Sequence, residues 1–210
     1  MKDEISKYLK GTTTIGVICS DGVVIGADTR ASMGDFIADS EARKVWKIDT
    51  TLGMTIAGGV GDAQDLIRII KAQNEIYKMN ENHSMSPKST ASLLSIILQQ
   101  NKMMPYYVQL IVAGLDGDEP QVYNLDPFGG YSDTSKFTVT GSGSEVAIGY
   151  LEDAYKKMPA KEAVRTVARA LAMAMKRNSA TGDGMIIAAI TKNNYTEYSG
   201  KDLEKFLGAK

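Results

Sequence analysis

The sequence predicts a single domain of the α+β class, in which antiparallel sheets pack together and helices cover their outer faces. Two β-rich runs, 12–20 and 23–30, flank an Asp-Gly pair, which is the pattern of a β-hairpin. Helical periodicity appears in two pairs of segments, one pair mid-chain and one pair late, with strand candidates around both. Because strands and helices do not alternate, a doubly wound parallel sheet is disfavoured and a layered sandwich is predicted.

The first half of the chain is predicted to contain short strands followed by two helices. After a loop at 31–41, strand candidates occupy 43–48 and 53–59. A helix is predicted from Gly61 to about Lys78, because its apolar residues fall near one face of a 3.6-residue period. Pro87 is expected in the first turn of a second helix that begins after Ser86.

The second half repeats this order of strands and then helices. Strand candidates at 106–116, 120–126 and 136–143 are separated by turn-rich segments. Two helices are predicted next, at 144–156 and 160–177, and the second has the cleaner apolar stripe. The chain ends in strand candidates at 184–191 and 195–199 and a short helix at 201–208, with no linker or repeat that would divide it.

Composition excludes several classes of function. The 210 residues include 24 basic and 25 acidic side chains, so no electrostatic footprint for nucleic acid or for an anionic membrane surface is expected. The single cysteine, Cys19, lies in an apolar run and is expected to be a small buried hydrophobe in a reducing, cytoplasmic setting. The only histidine, His83, lies in a polar stretch, so a metal centre is not expected. Neither a secretory signal nor a membrane span is expected.

Two glycine-rich turns, at 54–64 and 138–149, each lead from a strand into a helix. A phosphate site is one interpretation, but Asp62 and Glu145 would place a carboxylate where the anion should lie. Tight strand-to-helix turns are favoured, and their outward backbone N–H groups could stabilise an oxyanion. A nucleotide-binding module remains an alternative, which fails if no nucleotide shifts the melting temperature.

Lys44 and Asp28 are charged residues in otherwise apolar strand candidates. Strand alternation places Lys44 on one face with Trp46 and Ile48, where it could cover apolar surface with its head in water. Alternatively, it is a partly buried ammonium that needs a carboxylate partner. Asp28 could be that partner, because a buried acid must be paired, although a solvated acid at a strand end is the simpler interpretation.

Five motifs, in this order and spacing, resemble one family over the chain from Gly11 to the last helix: "GTTTIGV", "ADTRASMG", "ARKVWKI", "MTIAGGVGDAQ" and "TGSGSEVAIGYLED". They are similar to β-subunits of the 20S proteasome, of the archaeal type. The resemblance implies a four-layer αββα sandwich, the N-terminal nucleophile (Ntn) hydrolase fold, with no cofactor. It also implies heptameric β rings enclosed by rings of α-subunits, an ATPase regulator ring and unfolded protein substrates.

The resemblance also implies that residues 1–11 are a propeptide, cut between Gly11 and Thr12, and that 12–210 form the mature domain. Thr12 would then be the nucleophile of a threonine peptidase. Its free α-amino group, with a reference pKa of about 8, could serve as the base that a lone hydroxyl needs. Gly11 has no side chain, which would let the bond bend and expose its carbonyl to the Thr12 hydroxyl.

Further catalytic positions are implied by the same resemblance. Lys44 would lower the proton affinity of Thr12, Asp28 would hold the lysine, and the Gly58 N–H would form the oxyanion hole. Ser142 matches a serine that bonds near the threonine amine. The chain departs from the family pattern of an aspartate followed three residues later by a serine, because it has Asn178 and Thr181 there. Either an amide that still hydrogen-bonds is tolerated, or the network is weakened and activity is reduced but not abolished.

The positions that resemble the family's specificity pocket carry no charge. They predict a chymotrypsin-like preference for hydrophobic residues, with Ile56 at the base of the pocket limiting side-chain size. The pocket positions are Ala31, Ser32, Ala42, Trp46, Ile56 and Val60. The alternative is a structural β-subunit that forms ring contacts without chemistry, which Asn178 alone favours.

Overall fold

The computed structural model describes residues 11–34 and 36–208 and confirms the α+β class. The first half contains β1 (Thr13–Ile18), β2 (Gly22–Asp28), β3 (Ala31–Met33), β4 (Phe36–Asp39), β5 (Val45–Asp49), β6 (Leu52–Gly58), α1 (Val60–Glu81) and α2 (Pro87–Gln100). The second half contains β7 (Val108–Asp116), β8 (Glu119–Leu125), β9 (Tyr131–Asp133), β10 (Phe137–Gly141), α3 (Ser144–Ala154), α4 (Ala160–Arg177), β11 (Met185–Thr191), β12 (Asn194–Ser199) and α5 (Lys201–Leu207).

Ten of the strands form two five-stranded sheets. The first sheet has the order β10-β1-β2-β11-β12 and the second has the order β5-β6-β7-β8-β9. Neighbouring strands pair antiparallel in both sheets, including the predicted β1–β2 hairpin. The strands β3 and β4 form a separate small hairpin. This arrangement confirms that antiparallel pairing, and not a parallel sheet, organises the domain.

The side chains of each strand alternate between two apolar layers. On β2, Val24 packs with α4 on the outer face of the first sheet, whereas Ile25 packs between the two sheets. The second sheet is covered in the same way by α1 and α2. The sheets approach closely, because a Cβ added at Gly16 would lie 2.8 Å from Ile111. The molecule is therefore the four-layer αββα sandwich that the resemblance implied.

Local signals mark most element boundaries correctly. The second helix begins at Pro87, and Ser86 caps it by accepting a 3.1 Å hydrogen bond from the Ser89 N–H. The expected loop at 31–41, however, contains the β3–β4 hairpin, and β9 was also missed. These strands are only three or four residues long and mostly exposed, so they lack a buried alternating pattern.

Composition raised three further expectations, which concern the cysteine, the histidine and membrane spans. Cys19 is fully buried, and burial raises the pKa of its thiol to about 12, so it is not poised as a nucleophile. His83 is exposed, and no group of His, Cys, Asp or Glu within 11–34 and 36–208 is arranged to hold a metal. None of the helices described is long and apolar enough to cross a membrane. The predicted leader, apart from Gly11, lies outside the described residues.

Candidate active site

Thr12 directly precedes β1. Pairing of β1 with β2 brings the end of β2, at Asp28, beside Thr13. The side chains converge in a desolvated position, since Thr12 is 5% exposed, Asp28 is 1% exposed and Lys44 is 7% exposed. A buried acid beside a buried lysine is uncommon unless the two are paired.

Asp28 accepts hydrogen bonds through both carboxylate oxygens. Its Oδ1 accepts from the Thr13 N–H at 2.8 Å and from the Lys44 ammonium at 3.1 Å. Its Oδ2 accepts from the Gly182 N–H at 3.1 Å and the Arg30 N–H at 3.2 Å. The interpretation of Asp28 as a solvated strand-end acid is therefore wrong: the residue ends its strand, but as the buried partner of Lys44.

Lys44 reaches across from the segment before β5. Its Nζ donates to the Gly11 carbonyl at 3.0 Å, to Asp28 and to the Arg30 carbonyl. Lys44 directly precedes β5, which begins at Val45, and its carbonyl accepts a 3.1 Å hydrogen bond from the Ile56 N–H of β6. The predicted alternation is kept along β5, because Trp46 and Ile48 pack in one apolar layer and Val45 packs in the other. The second interpretation, a buried ammonium with a carboxylate partner, is confirmed.

Burial shifts the pKa values of both partners towards their neutral forms. Desolvation lowers the pKa of Lys44, and the nearby Asp28 carboxylate offsets part of this effect. Desolvation likewise raises the pKa of Asp28, against the opposing effects of Lys44 and the backbone donors. The pair is thus held in a low-dielectric site in which the lysine releases its proton more readily than an exposed lysine does.

The carbonyl oxygen of Gly11 accepts hydrogen bonds from the side chains of Thr12 and Lys44. The Thr12 hydroxyl donates to the Gly11 carbonyl oxygen at 2.6 Å, and Lys44 donates to the same oxygen. Gly11 adopts a φ of +140°, and a Cβ there would lie 2.5 Å from the Ser32 Oγ. Only glycine fits this position without displacing Ser32, which agrees with the expectation of a bent and exposed carbonyl.

The opposite side of Thr12 is a neutral network. The Ser142 N–H donates to the Thr12 carbonyl at 2.8 Å, and the Ser142 hydroxyl donates to Asn178 Oδ1 at 3.0 Å. The turn requires Gly141, which has a φ of +90° and whose added Cβ would lie 2.0 Å from the Thr12 carbonyl oxygen. Ser142 is therefore anchored to the backbone of the proposed nucleophile.

Asn178 forms the centre of this network. Its Oδ1 also accepts from the Ala180 N–H at 3.0 Å and from the Thr181 hydroxyl at 3.1 Å, while its Nδ2 donates to the Ser142 carbonyl at 3.0 Å. The Ala180 N–H fixes the orientation of the amide, because a flip would place the Nδ2 donor of Asn178 against the N–H donor of Ala180. The Thr181 hydroxyl lies 2.8 Å from that of Thr13. The amide of Asn178 is thus hydrogen-bonded through both of its polar atoms, and its effect on activity stays a prediction.

Gly58 ends β6 at the predicted oxyanion position. It has a φ of +129°, and an added Cβ would lie 2.0 Å from the Tyr107 carbonyl oxygen. The same oxygen accepts a 2.8 Å hydrogen bond from the Gly59 N–H. The glycine pair is thus required by close approach of the backbone of the neighbouring strand.

The six predicted pocket positions differ widely in exposure. Trp46 and Ile56 pack in the apolar layer beneath α1 and α2, and Ile56 is only 4% exposed. Val60, the first residue of α1, is 57% exposed. The remaining positions lie on β3 or in the segment before β5 and are partly buried, namely Ala31, Ser32 and Ala42.

Sequence reasoning missed Arg30, which lies within a quoted motif but received no role. Its guanidinium binds both oxygens of Asp183 at 2.9 Å and donates to the Ser179 carbonyl at 2.7 Å. Its backbone carbonyl accepts from Lys44 and its N–H donates to Asp28. Arg30 therefore connects the charged side of the site to the segment that carries Asn178. The spacing of the sequence contains no signal for this contact, because its partners lie about 150 residues away.

Known proteins resemble this chain over most of its length. The family model described as "Proteasome subunit" matches residues 8–190. The chain belongs to the proteasome subunit family. It is 44% identical over 199 residues to "Proteasome subunit beta" of Methanosarcina mazei, covering 94% of this chain and 95% of that one. It is 46% identical over 205 residues to the protein of the same name from Methanosphaerula palustris, covering 97% of each.

A third relative, "Proteasome subunit beta" of Methanococcus aeolicus, is 43% identical over 205 residues, which cover 97% of this chain and 94% of that one. The resemblance to archaeal β-subunits of the 20S proteasome is therefore confirmed over nearly the whole chain. Membership in this family places the protein among the subunits of a multi-subunit proteasome core that also contains α-subunits.

Proposed function

We propose that the protein is a catalytic β-subunit, a threonine endopeptidase whose nucleophile is Thr12. One observation carries the proposal: the Thr12 hydroxyl and the Lys44 ammonium lie 2.6 Å and 3.0 Å from the same Gly11 carbonyl oxygen. The hydroxyl that would attack is therefore beside the bond that must be cut, and a cation is beside the oxygen that would become negative.

The first reaction is removal of residues 1–11. The Thr12 oxygen attacks the Gly11 carbonyl carbon, and the proton that it loses is the one that the departing Thr12 nitrogen takes up. Lys44 stabilises the negative charge on the carbonyl oxygen. The C–N bond then breaks, the Thr12 nitrogen takes up a proton, and Gly11 is joined to Thr12 by an ester. Water hydrolyses this ester, which releases the 11-residue leader as a carboxylate and frees the Thr12 hydroxyl and amine.

The mature enzyme uses the same groups on peptide substrates. The freed α-amine of Thr12, with a reference pKa near 8, acts as a base at neutral pH. Lys44 lowers the proton affinity of Thr12, and Asp28 holds Lys44. The Gly58 N–H donates to the oxyanion of the substrate carbonyl, and removal of one such donor costs about 3 kcal/mol in comparable enzymes. Ser142, Asn178 and Thr181 position the amine.

Substrate preference follows from the uncharged pocket positions. With Ile56 buried at its base and Trp46 packed beside it, the pocket accepts hydrophobic side chains before the cleaved bond. Unfolded proteins are the substrates, delivered by an ATPase ring to the interior of a cytoplasmic particle. In that particle, two heptameric β rings lie between rings of α-subunits. Faster cleavage after arginine than after leucine or tyrosine would contradict this preference.

A structural subunit without activity is the second candidate, and Asn178 is the observation that favours it. An amide carries no charge where the family pattern has an acid. The hydrogen bonds of Asn178 weigh against this alternative, because the amide keeps Ser142 and Thr181 engaged.

The deciding experiment is co-expression with the α-subunit from the same source, followed by intact-mass measurement and a fluorogenic peptide assay with a hydrophobic residue before the cleaved bond. Loss of residues 1–11 together with turnover is the expected result, and Thr12→Ala is the matched control that should stay uncut. An uncut wild-type chain in an assembled, inactive particle would instead identify a structural subunit.

A further inference from the structure

The glycine-rich turn at 54–64 has an acid at Asp62, where an anion site would not tolerate one. In the structure this carboxylate has a backbone partner, because Asp62 Oδ2 accepts a 2.8 Å hydrogen bond from the N–H of Tyr107. Asp62 lies in the first turn of α1, and Tyr107 directly precedes β7. The carboxylate therefore fixes the peptide unit through which the chain enters β7.

The carbonyl of Tyr107 contacts the glycine pair, Gly58 and Gly59. The Tyr107 carbonyl oxygen accepts a 2.8 Å hydrogen bond from the Gly59 N–H and lies 2.0 Å from the position of a Cβ at Gly58. A shift of Tyr107 would consequently move Gly58 and Gly59 together. Asp62, Tyr107 and the glycine pair form one connected unit, in which the carboxylate determines where the Gly58 peptide lies.

Gln109, two residues after Tyr107, lies on β7 and contacts the turn that holds Thr12. Gln109 pairs with Ala57 in the sheet, and its Oε1 accepts a 3.0 Å hydrogen bond from the Gly141 N–H of β10 in the first sheet. Gly141 precedes Ser142, whose N–H holds the Thr12 carbonyl. The side chain of Gln109 therefore bridges the two sheets beside the nucleophile.

We propose that residues 107–109, which we call the β7 brace, set the distance between the oxyanion donor and the nucleophile, and that Asp62 and Gln109 are the positioning residues through which the brace acts. Asp62 acts on the Gly58 side and Gln109 acts on the Thr12 side. Neither touches the reacting atoms. The inference rests on the proposed function, since it assigns roles in the reaction of Thr12.

The consequence is a difference between binding and chemistry. An oxyanion donor that is misplaced by a fraction of an ångström loses its contact with the transition state while the ground-state substrate still binds. Loss of the Asp62 contact should therefore lower kcat far more than it changes KM. Loss of the Gln109 contact should do the same by displacing the turn that holds Thr12.

The test uses the assembled and processed particle with four variants. Asp62→Leu removes the acceptor, and Asp62→Asn keeps an oxygen that can accept from Tyr107. Gln109→Leu and Gln109→Glu form the corresponding pair. Each is assayed with a hydrophobic fluorogenic peptide, a leucine tripeptide aldehyde and the corresponding tripeptide alcohol. The aldehyde forms a hemiacetal whose oxygen needs the oxyanion donor, whereas the alcohol binds only as a ground-state ligand.

We expect Asp62→Leu to lower kcat about 100-fold and to weaken aldehyde inhibition similarly, with KM and alcohol inhibition within about threefold. Gln109→Leu is expected to lower kcat about tenfold with a similar split. Asp62→Asn and Gln109→Glu, which keep an acceptor oxygen, should retain most of the wild-type kcat. If Asp62→Leu does not assemble, Asp62→Glu replaces it, because the extra methylene displaces the carboxylate from Tyr107. The same loss of kcat and of aldehyde inhibition is then expected, with KM and alcohol inhibition nearly unchanged.

Equal weakening of inhibition by the aldehyde and by the alcohol would overturn the proposal, because it would indicate that the substrate-binding surface itself is damaged. Unchanged kcat in Asp62→Leu and Gln109→Leu would also overturn it. Either result would leave the proposed function intact, provided the wild-type particle is processed and active. An unprocessed and inactive wild-type particle would instead reject the proposed function itself.

Discussion

The two sides of Thr12 are built from different chemistry. On one side, Asp28 and Lys44 form a buried ion pair that is almost wholly removed from water. On the other side, Ser142, Asn178 and Thr181 form a network that carries no charge. The charged side responds to pH and depends on both partners, whereas the neutral side depends on the direction of each donor and acceptor.

This difference determines which changes each side can tolerate. Removing one member of a buried ion pair leaves an uncompensated charge, which costs about 3–5 kcal/mol. Removing one neutral hydrogen bond costs about 1 kcal/mol when its partner can find another. Asn178, where the resemblance implies an acid, lies on the neutral side, and an amide at this position leaves no charge unpaired.

The largest effect is expected from Lys44→Met. This change leaves Asp28 buried without its cation and removes the donor to the Gly11 carbonyl, so processing should stop and stability should fall by about 3–5 kcal/mol. Intact mass and thermal unfolding measure the two effects. Lys78→Met is the matched control, because Lys78 pairs with Asp49 but is 36% exposed. Lys78→Met should be processed normally. Cleavage of the leader in Lys44→Met would show that the charged side does not depend on both partners.

The next largest effect is expected from Asp28→Asn, which tests the charge and largely keeps the shape. Burial lowers the pKa of Lys44, and the Asp28 carboxylate opposes that shift. Without the carboxylate the pKa of Lys44 falls further, so the alkaline limit of processing should move to lower pH. Processing rates from pH 6 to 10 measure this limit. A pH profile that is unchanged in shape would show that Lys44 is not required as a cation.

A smaller effect is expected on the neutral side, at Asn178. Asn178→Leu removes an acceptor that serves three donors and should reduce peptide hydrolysis about tenfold to 100-fold. Asn178→Asp loses the bond to the Ser142 carbonyl but strengthens the other three, because hydrogen bonds to a charged acceptor are about twice as strong. Hydrolysis should therefore rise several-fold at neutral pH. An unchanged rate would show that the amide does not limit activity.

Sequence patterns predicted the layers, and the reasons are local. The pairing of Asp28 with Lys44 was only one alternative from the residues, and their roles came from the family resemblance. The Asp-Gly turn, the cap at Ser86 and the stripe of α4 are each specified within a few residues. The contacts of Arg30 and Gln109 were not predictable in this way, because their partners are distant in sequence. Those of Arg30 depend on the pairing of β2 with β11, and that of Gln109 depends on the stacking of the two sheets. The short strands β3, β4 and β9 were missed for a different reason, since they bury little and so leave no periodic pattern.

The smallest effect concerns a second ion pair, formed by Asp49 and Lys78, which has no role in the proposed reaction. Burial disfavours the Asp49 carboxylate, but hydrogen bonds from Ser84, Lys78 and Asn74 outweigh this effect and lower the pKa of Asp49. A lowered pKa means that the stabilisation is present above the unfolded value of about 3.9 and is lost as the pH falls towards the folded value. The melting temperature of Asp49→Asn should therefore lie below that of the wild type at pH 6, and the difference should narrow below about pH 4. A constant difference would show that the carboxylate stabilises the fold through shape and not through charge, in contrast to Asp28.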